Sequence, residues 1–454
     1  MRLNRAGIPV WLGIAVITLV VLTAMPPAGL REIHHADRIS NFALVEPRPH
    51  ADDWPLWRGI DGRNVSPSNR FPERWSTDSS TKDSWQIEVP GTGSSSPIIW
   101  GEQLFLVTSE VDSQRVALRN YDRSTGREKW WTTLHKGVAQ KSKDQKPHLL
   151  PTPACDGQFV YTVIAKSGAL WVTSVDFSGH VVWSREAGPA DSLANYSSSP
   201  ALYQSLIIVV ADRDRDGYIA ALHRQTGEII WRIQRSDGEN FASPIIATIA
   251  GRPQLVVSGK KTIASYNPST GEPLWTYRGL TDTTSNCIAY DNDHVFGVIG
   301  RKQAEIICVR ADGSGDVTET HLVWSQPKSD GQNLSPVCHG GWLYALAEDG
   351  LLRCIDATNG KTEWRRRLTG TFSASPIIAG DRLICCNEQG TCTLIQAGSS
   401  NTQIAENVLL EGAIVSPIVS GNCVVVRTIS GLSRFAAPAP EPLVERPERS
   451  KRRL

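Results

Sequence analysis

An excess of charge of one sign is missing from this chain. Its 47 Lys and Arg balance 46 Asp and Glu, a net charge of +1. With no basic patch, binding to nucleic acid is not expected. Cysteine is absent before residue 155, which excludes lipid attachment through an N-terminal cysteine. There is no CxxCH for haem, no HExxH for zinc, no Gly-rich phosphate loop and no G-x-S-x-G nucleophile turn. These gaps leave no residue with an evident catalytic role.

What is present is a repeat, and Leu334–Trp364 shows it best. Ser335-Pro336 opens the unit, where proline's missing N–H suits the start of a strand. Gly340-Gly341, Glu348-Asp349-Gly350 and Thr358-Asn359-Gly360 are turn signals that divide the rest into short strands, the last ending on Trp364. Four antiparallel strands form one sheet with two open edges. Such a sheet cannot bury both faces alone and must stack on copies of itself.

The copies follow in register. Ser/Thr-Pro openings recur at Pro97, Pro153, Pro200, Pro244, Pro336, Pro376 and Pro417, with a degenerate opening at Cys287. Closing tryptophans recur at Trp85, Trp130, Trp183, Trp231, Trp275, Trp324 and Trp364, with Leu410 in the eighth place. Tight turns such as Thr125-Gly126, Thr226-Gly227 and Thr270-Gly271 precede most of them. A period of about 40–45 residues with four strands each predicts an all-β fold, a β-propeller. A large flat ring at the end of each outer strand can wedge between blades, so the seven tryptophans read as structural. Only three strands follow Pro417, and Ser84–Ile87 near the front is a fourth strand with no blade before it. Joining them predicts eight blades of four antiparallel strands, the ring closed by an N-terminal strand around Trp85.

The flanking segments divide the chain further. Gly7–Met25 is an uninterrupted apolar run preceded by Arg2 and Arg5. Two readings stand: an uncleaved transmembrane helix that leaves the propeller outside, or a cleaved secretory signal. Small residues do not line up for cleavage, which favours the anchor. Residues 26–52 read as a linker, 53–83 as an entry segment packed on the propeller, and 84–436 as the propeller itself. Residues 437–454, rich in proline and charge, read as a disordered tail. The longest insertion is His135–Leu150, and sequons stand at Asn64, Asn195 and Asn333.

Two constellations carry potential chemistry. Asp212, Asp214 and Asp216, in D-x-D-x-D-G, match the start of a calcium loop. The twelfth position is His223 and the ninth is Ala220, so a solvated turn between strands two and three is the competing reading. In blade seven, with Asn387–Gly390 as the turn, Cys385 faces Cys392 across a hairpin. A cross-strand Cys385–Cys392 disulfide is the expected pairing if one forms. The remaining cysteines fall at core positions, where a free thiol acts as a small hydrophobe.

The blade pattern resembles the pyrroloquinoline-quinone repeat, with IAALHRQTGEIIW (219–231), IASYNPSTGEPLW (263–275) and LRCIDATNGKTEW (352–364) as its best copies. Together with WPLWRG in the entry segment, it is similar to PQQ-binding-like β-propeller repeat proteins of bacterial envelopes. Two branches of that superfamily imply different functions. Quinoprotein dehydrogenases bind the quinone and calcium on the propeller axis, whereas assembly propellers of the BamB type act as scaffolds without a cofactor. The vicinal cysteines here lie in blade seven, away from the place they take in the dehydrogenases, and no calcium ligand set or catalytic Asp matches by position. The expectation is a membrane-anchored protein-binding or scaffold module on the periplasmic side of the envelope, without a cofactor. A dehydrogenase using PQQ and calcium is the alternative, and a carbohydrate or peptide recognition domain is the third.

Overall fold

A computed structural model describes residues 32–34, 48–75, 84–110, 112–137, 149–190, 196–235, 238–279, 286–299, 303–326, 329–330, 334–413 and 415–437. It is an eight-bladed propeller of antiparallel sheets. Blades one to seven open with inner strands Ile98–Trp100, Ala154–Cys155, Ala201–Tyr203, Ile245–Ile249, Ala289–Tyr290, Val337–His339 and Ile377–Ala379. Their outer strands are Glu128–Lys136, Val181–Pro189, Ile229–Gln234, Pro273–Arg278, Leu322–Ser325, Thr362–Arg367 and Gln403–Val408. The eighth blade combines Ile418–Ser420, Cys423–Arg427 and Gly431–Ala436 with the N-terminal strand Trp85–Glu88. Trp85 pairs with Arg434 and Glu88 with Gly431, so the seam is closed by backbone hydrogen bonds as the register predicts.

Burial follows position in the blade. Middle strands are covered on both faces: Leu206–Ala211 and Tyr218–His223 in blade three are buried throughout. Outer strands alternate, as in Thr362–Arg367, where Trp364 turns inward between exposed neighbours. The repeated tryptophans supply the contact between blades. The Nε1–H of Trp85 donates to Arg123 O at 3.0 Å, Trp130 to Phe177 O at 2.9 Å and Trp183 to Arg224 O at 2.8 Å. Trp324 donates to Ala357 O at 2.9 Å and Trp364 to Gly398 O at 3.0 Å. Each acceptor lies in the strand three–four turn of the next blade. For Trp85, Trp130, Trp183, Trp231 and Trp324 the ring rests on the glycine of the next blade's turn. A Cβ on Gly227 would come within 2.6 Å of Trp183, and one on Gly360 within 2.6 Å of Trp324. Both glycines have positive φ, so the turn needs glycine twice over, for conformation and for space.

Trp275 departs from this pattern. Blade five has no Thr-Gly turn to receive it, and Gly315–Asp316 instead runs parallel to Trp275–Thr276. Its Nε1–H turns to Gln254 Oε1 in its own blade, at 2.7 Å. Trp231 packs on Gly271 and is fully buried.

Two expectations need correction. Cys385 does not pair with Cys392: the disulfide is Cys386–Cys392, with Cα atoms 4.0 Å apart. The Asn387 side chain accepts the Thr391 N–H at 2.7 Å while its own N–H donates to Thr391 O. Residue 387 therefore opposes 391, and the register moves by one, setting Cys386 against Cys392 and Cys385 against Thr393. A one-residue shift exchanges the faces of a strand, so Cys385 packs in the cluster with Trp364 and Cys386 in the one with Phe435. Second, the stretch assigned to a linker contributes Ile33–His34, a fifth strand on the outer edge of blade three, paired with Arg232 and Trp231. The sequon at Asn64 is closed to modification. Its side chain is buried and donates to Pro376 O at 2.7 Å.

The apolar run 7–25, the tail beyond Ala437, residues 138–148 of the long insertion and the sequons at Asn195 and Asn333 lie outside the described residues. Among the described residues no helix is long and apolar enough to cross a membrane.

Two outcomes check this packing. Trp231→Ala should cost about 3–5 kcal/mol in chemical denaturation. Trp131→Ala, at a residue 45% exposed with the Arg115 guanidinium over its ring, should cost about 1 kcal/mol or less. For the hairpin, non-reducing peptide mapping should recover the 386–392 crosslink in Cys385→Ser and lose it in Cys392→Ser.

Candidate functional site at the propeller axis

The axis is where a propeller of this kind can hold a ligand, and here one end of it is filled by the chain itself. The plug is Asp52–Ser68. It enters at blade one, where Trp54 exchanges backbone hydrogen bonds with Ile99, and Asp53 accepts the Gly101 N–H at 2.7 Å. Pro55 O accepts from Cys155 N in blade two, and the Trp57 Nε1–H points to Cys287 Sγ in blade five, 3.3 Å away. Beyond Gly62, which packs on Ile245 of blade four, Val65–Ser66 runs parallel to Ile378–Ala379 of blade seven. Ser68 then donates to Gly421 O of blade eight. A segment that touches inner strands on opposite sides of the ring must cross the axis.

Arg58 holds the plug in place. It is 1% exposed and adopts φ of 69°. Its guanidinium donates to Ile288 O of blade five at 2.8 Å and to Pro336 O of blade six at 2.5 Å. Burial lowers its pKa from the usual arginine value. The planar fork lets one side chain bond the backbones of two blades.

Above the plug the other end of the axis is a funnel, made of hollows of about 140 and 280 Å³ that share Trp57 as floor. Its wall is the ring of residues that precede the opening prolines. Those hydroxyls join blade to blade: Ser96 N–H donates to Thr152 Oγ1 at 3.0 Å, Thr152 N–H to Ser199 Oγ at 3.0 Å, and Ser199 N–H to Ser243 Oγ at 2.9 Å. Cys287 N–H, in the degenerate blade, donates to Ser335 Oγ at 2.9 Å. Among the described residues lining the funnel, Glu348 is the only charged one.

That lining does not fit pyrroloquinoline quinone, which carries three carboxylates and needs cationic or metal partners. The nearby buried Arg427 is committed to Ser95 O and Val107 O, and burial pushes its pKa down to about 9. Cys385 and Cys386 lie in the second strand of blade seven, inside the blade.

Asp212, Asp214 and Asp216 are not brought together as a cation cage. Asp212 turns inward, where its Oδ1 accepts from Arg235 Nε at 2.8 Å and its Oδ2 lies 3.4 Å from Asn240 Nδ2. Asp214 and Asp216 stay exposed, Asp216 with φ of 56°. Among the described residues no group of three or more His, Cys, Asp or Glu is placed to hold a metal. The sequence offered the three carboxylates but not the arginine that claims the first, which lies 23 residues further on.

Sequence reasoning also passed over the plug and the hydroxyl ring. WPLWRG was read as a segment laid against the propeller, with no signal that it crosses the centre. The hydroxyls were visible as Ser or Thr before each proline.

An eight-bladed ring of Ser-Pro, Thr-Gly and Trp repeats with a plugged axis defines a quinoprotein-like propeller without an evident cofactor cradle. The chain belongs to the family described as outer membrane protein assembly factor BamB, whose model matches residues 73–309 and 315–431. It is 23% identical to the BamB of Moranella endobia over 226 residues, covering 47% of this chain and 55% of that protein. The chain thus spans about half the length of that relative. It is 20% identical to BamB of Salmonella typhimurium, covering 59% of this chain and 81% of that one. In fold it resembles the computationally designed protein Ika8, with a TM-score of 0.54 and 12% identity over 77% of this chain and all of that one.

Asp212→Ala should cost about 3–5 kcal/mol, because it strands the Arg235 guanidinium in the interior. Asp214→Ala should stay within about 0.5 kcal/mol of the parent. A calcium loop would instead make both variants lose a calcium-dependent rise in melting temperature.

Proposed function

We propose that this protein is a non-catalytic scaffold of the cell envelope, exported and held at the membrane by its N-terminal apolar run, which binds an envelope protein. The observation that carries the reading is the axis. Where a quinoprotein enzyme needs cationic partners and a base, this chain has its own backbone crossing one end and, at the other, a hydroxyl wall whose one charged residue among those described is the anionic Glu348. A ligand with no site cannot stabilise the folded state by mass action. Membership in a family described by outer-membrane assembly supports a protein as the partner. A propeller suits that work because it presents broad, rigid faces built from the ends of eight sheets.

In a thermal melt, pyrroloquinoline quinone with millimolar calcium should leave the transition unmoved, and no alcohol- or sugar-dependent dye reduction should appear. Crosslinking followed by affinity capture of the membrane-extracted protein should recover envelope proteins at near-stoichiometric yield. A saturable shift that needs both quinone and calcium would replace the scaffold with a dehydrogenase.

A further inference from the structure

The strand Ile33–His34 fixes where the N-terminal chain meets the propeller. It runs antiparallel to the outer strand of blade three, with Ile33 opposite Arg232 and His34 opposite Trp231. Glu32 Oε1 accepts the Gln234 N–H at 3.2 Å, one step further along that outer strand. The outer strand runs from the Thr226-Gly227 turn towards the connection that leads to Ser243-Pro244. Glu32 is therefore at the funnel end of the blade, and His34 is the nearer of the two strand residues to the plugged end. The apolar run ends at Met25, and the six residues 26–31 could span at most about 22 Å.

Charge is divided across the same face. The strand two–three turns of blades two to four carry Lys166, Arg213, Arg215, Lys260 and Lys261 against Asp214 and Asp216, with Asp212 paired to the buried Arg235 and with Glu239 and Glu32 close by. The corresponding turns of blades six and seven carry Glu348, Asp349 and Glu388, with Glu411 close by and Arg367 paired to Asp349. Basic residues thus slightly outnumber acidic ones where the N-terminal strand sits, and acidic ones dominate the far side of the ring.

We infer that the funnel face of blades two to four docks on an anionic lipid surface, with the acidic side of the ring raised from it. The inference rests on the tether reading above. The short tether fixes which blade is nearest the bilayer, and the charge division favours contact there over the opposite rim. The funnel then opens at the membrane side, where a partner emerging from the bilayer would meet it.

The test uses the full chain in vesicles of phosphatidylglycerol and phosphatidylcholine. Lys261 in blade four, Ile429 on the funnel face of blade eight, or Gln225 on the plugged face of blade three is replaced singly by benzoylphenylalanine. All three are exposed. After illumination, lipid covalently attached to each variant is quantified by mass spectrometry. The 261 variant should carry about tenfold more lipid than either of the others, and its lead should shrink in vesicles without phosphatidylglycerol. Equal labelling of the three, with the protein firmly membrane-bound, overturns the orientation and leaves the tether standing. Recovery of the intact chain in the soluble fraction overturns both.

Discussion

The structure depends on the fact that a four-stranded sheet is not self-sufficient. Each blade has two apolar faces and two edges, and only a neighbour on each side can cover the faces. A tryptophan in seven of the eight outer strands makes that neighbour specific. Five of these rings cover a positive-φ glycine in the next blade's turn, and five donate their N–H to a carbonyl of that turn. Hydrophobic burial and hydrogen-bond geometry thus select the same partner. Closing the ring with Trp85–Glu88 then ties the two ends of the chain together, which makes the eighth blade depend on residues about 340 positions apart.

Ring closure creates an axis, and an axis is a liability as well as an opportunity. Eight inner strands converge there with backbone groups that need partners. This chain answers at one end with its own entry segment and at the other with the hydroxyls before the opening prolines. Arg58 illustrates the energetic logic. A buried guanidinium is costly to desolvate, yet here it bonds two carbonyls on adjacent blades. The same residues that stabilise the axis leave it without the charge a cofactor of three carboxylates would demand. A scaffold can tolerate such an axis, because its binding surfaces are the faces.

The departures from expectation share a cause: a side chain took a role that the local pattern assigns to backbone or solvent. Asn387 stands in for main chain in the blade seven turn and shifts the pairing by one, which decides between Cys385 and Cys386. Arg235 reaches back to Asp212 and turns a candidate metal ligand into half of an interior ion pair. Ile33 and His34, in a stretch without periodicity, find an edge with free hydrogen-bonding groups and extend it.

Much was legible in one dimension because the fold is a repeat. Period, turn chemistry and the recurring tryptophan determined the blade count, the strand order within a blade and the seam at Trp85, since each depends on contacts between a unit and its next copy. The axis was not legible. Which residue fills it depends on where a non-repeating segment lies once eight blades have closed, and the contacts of Arg58 with Ile288 and Pro336 span 230 and 278 positions. The same holds for Asp212, where three carboxylates at calcium spacing look alike until a distant cation arrives. Sequence spacing specifies what lies one repeat away. What converges on the centre is decided only when the ring exists.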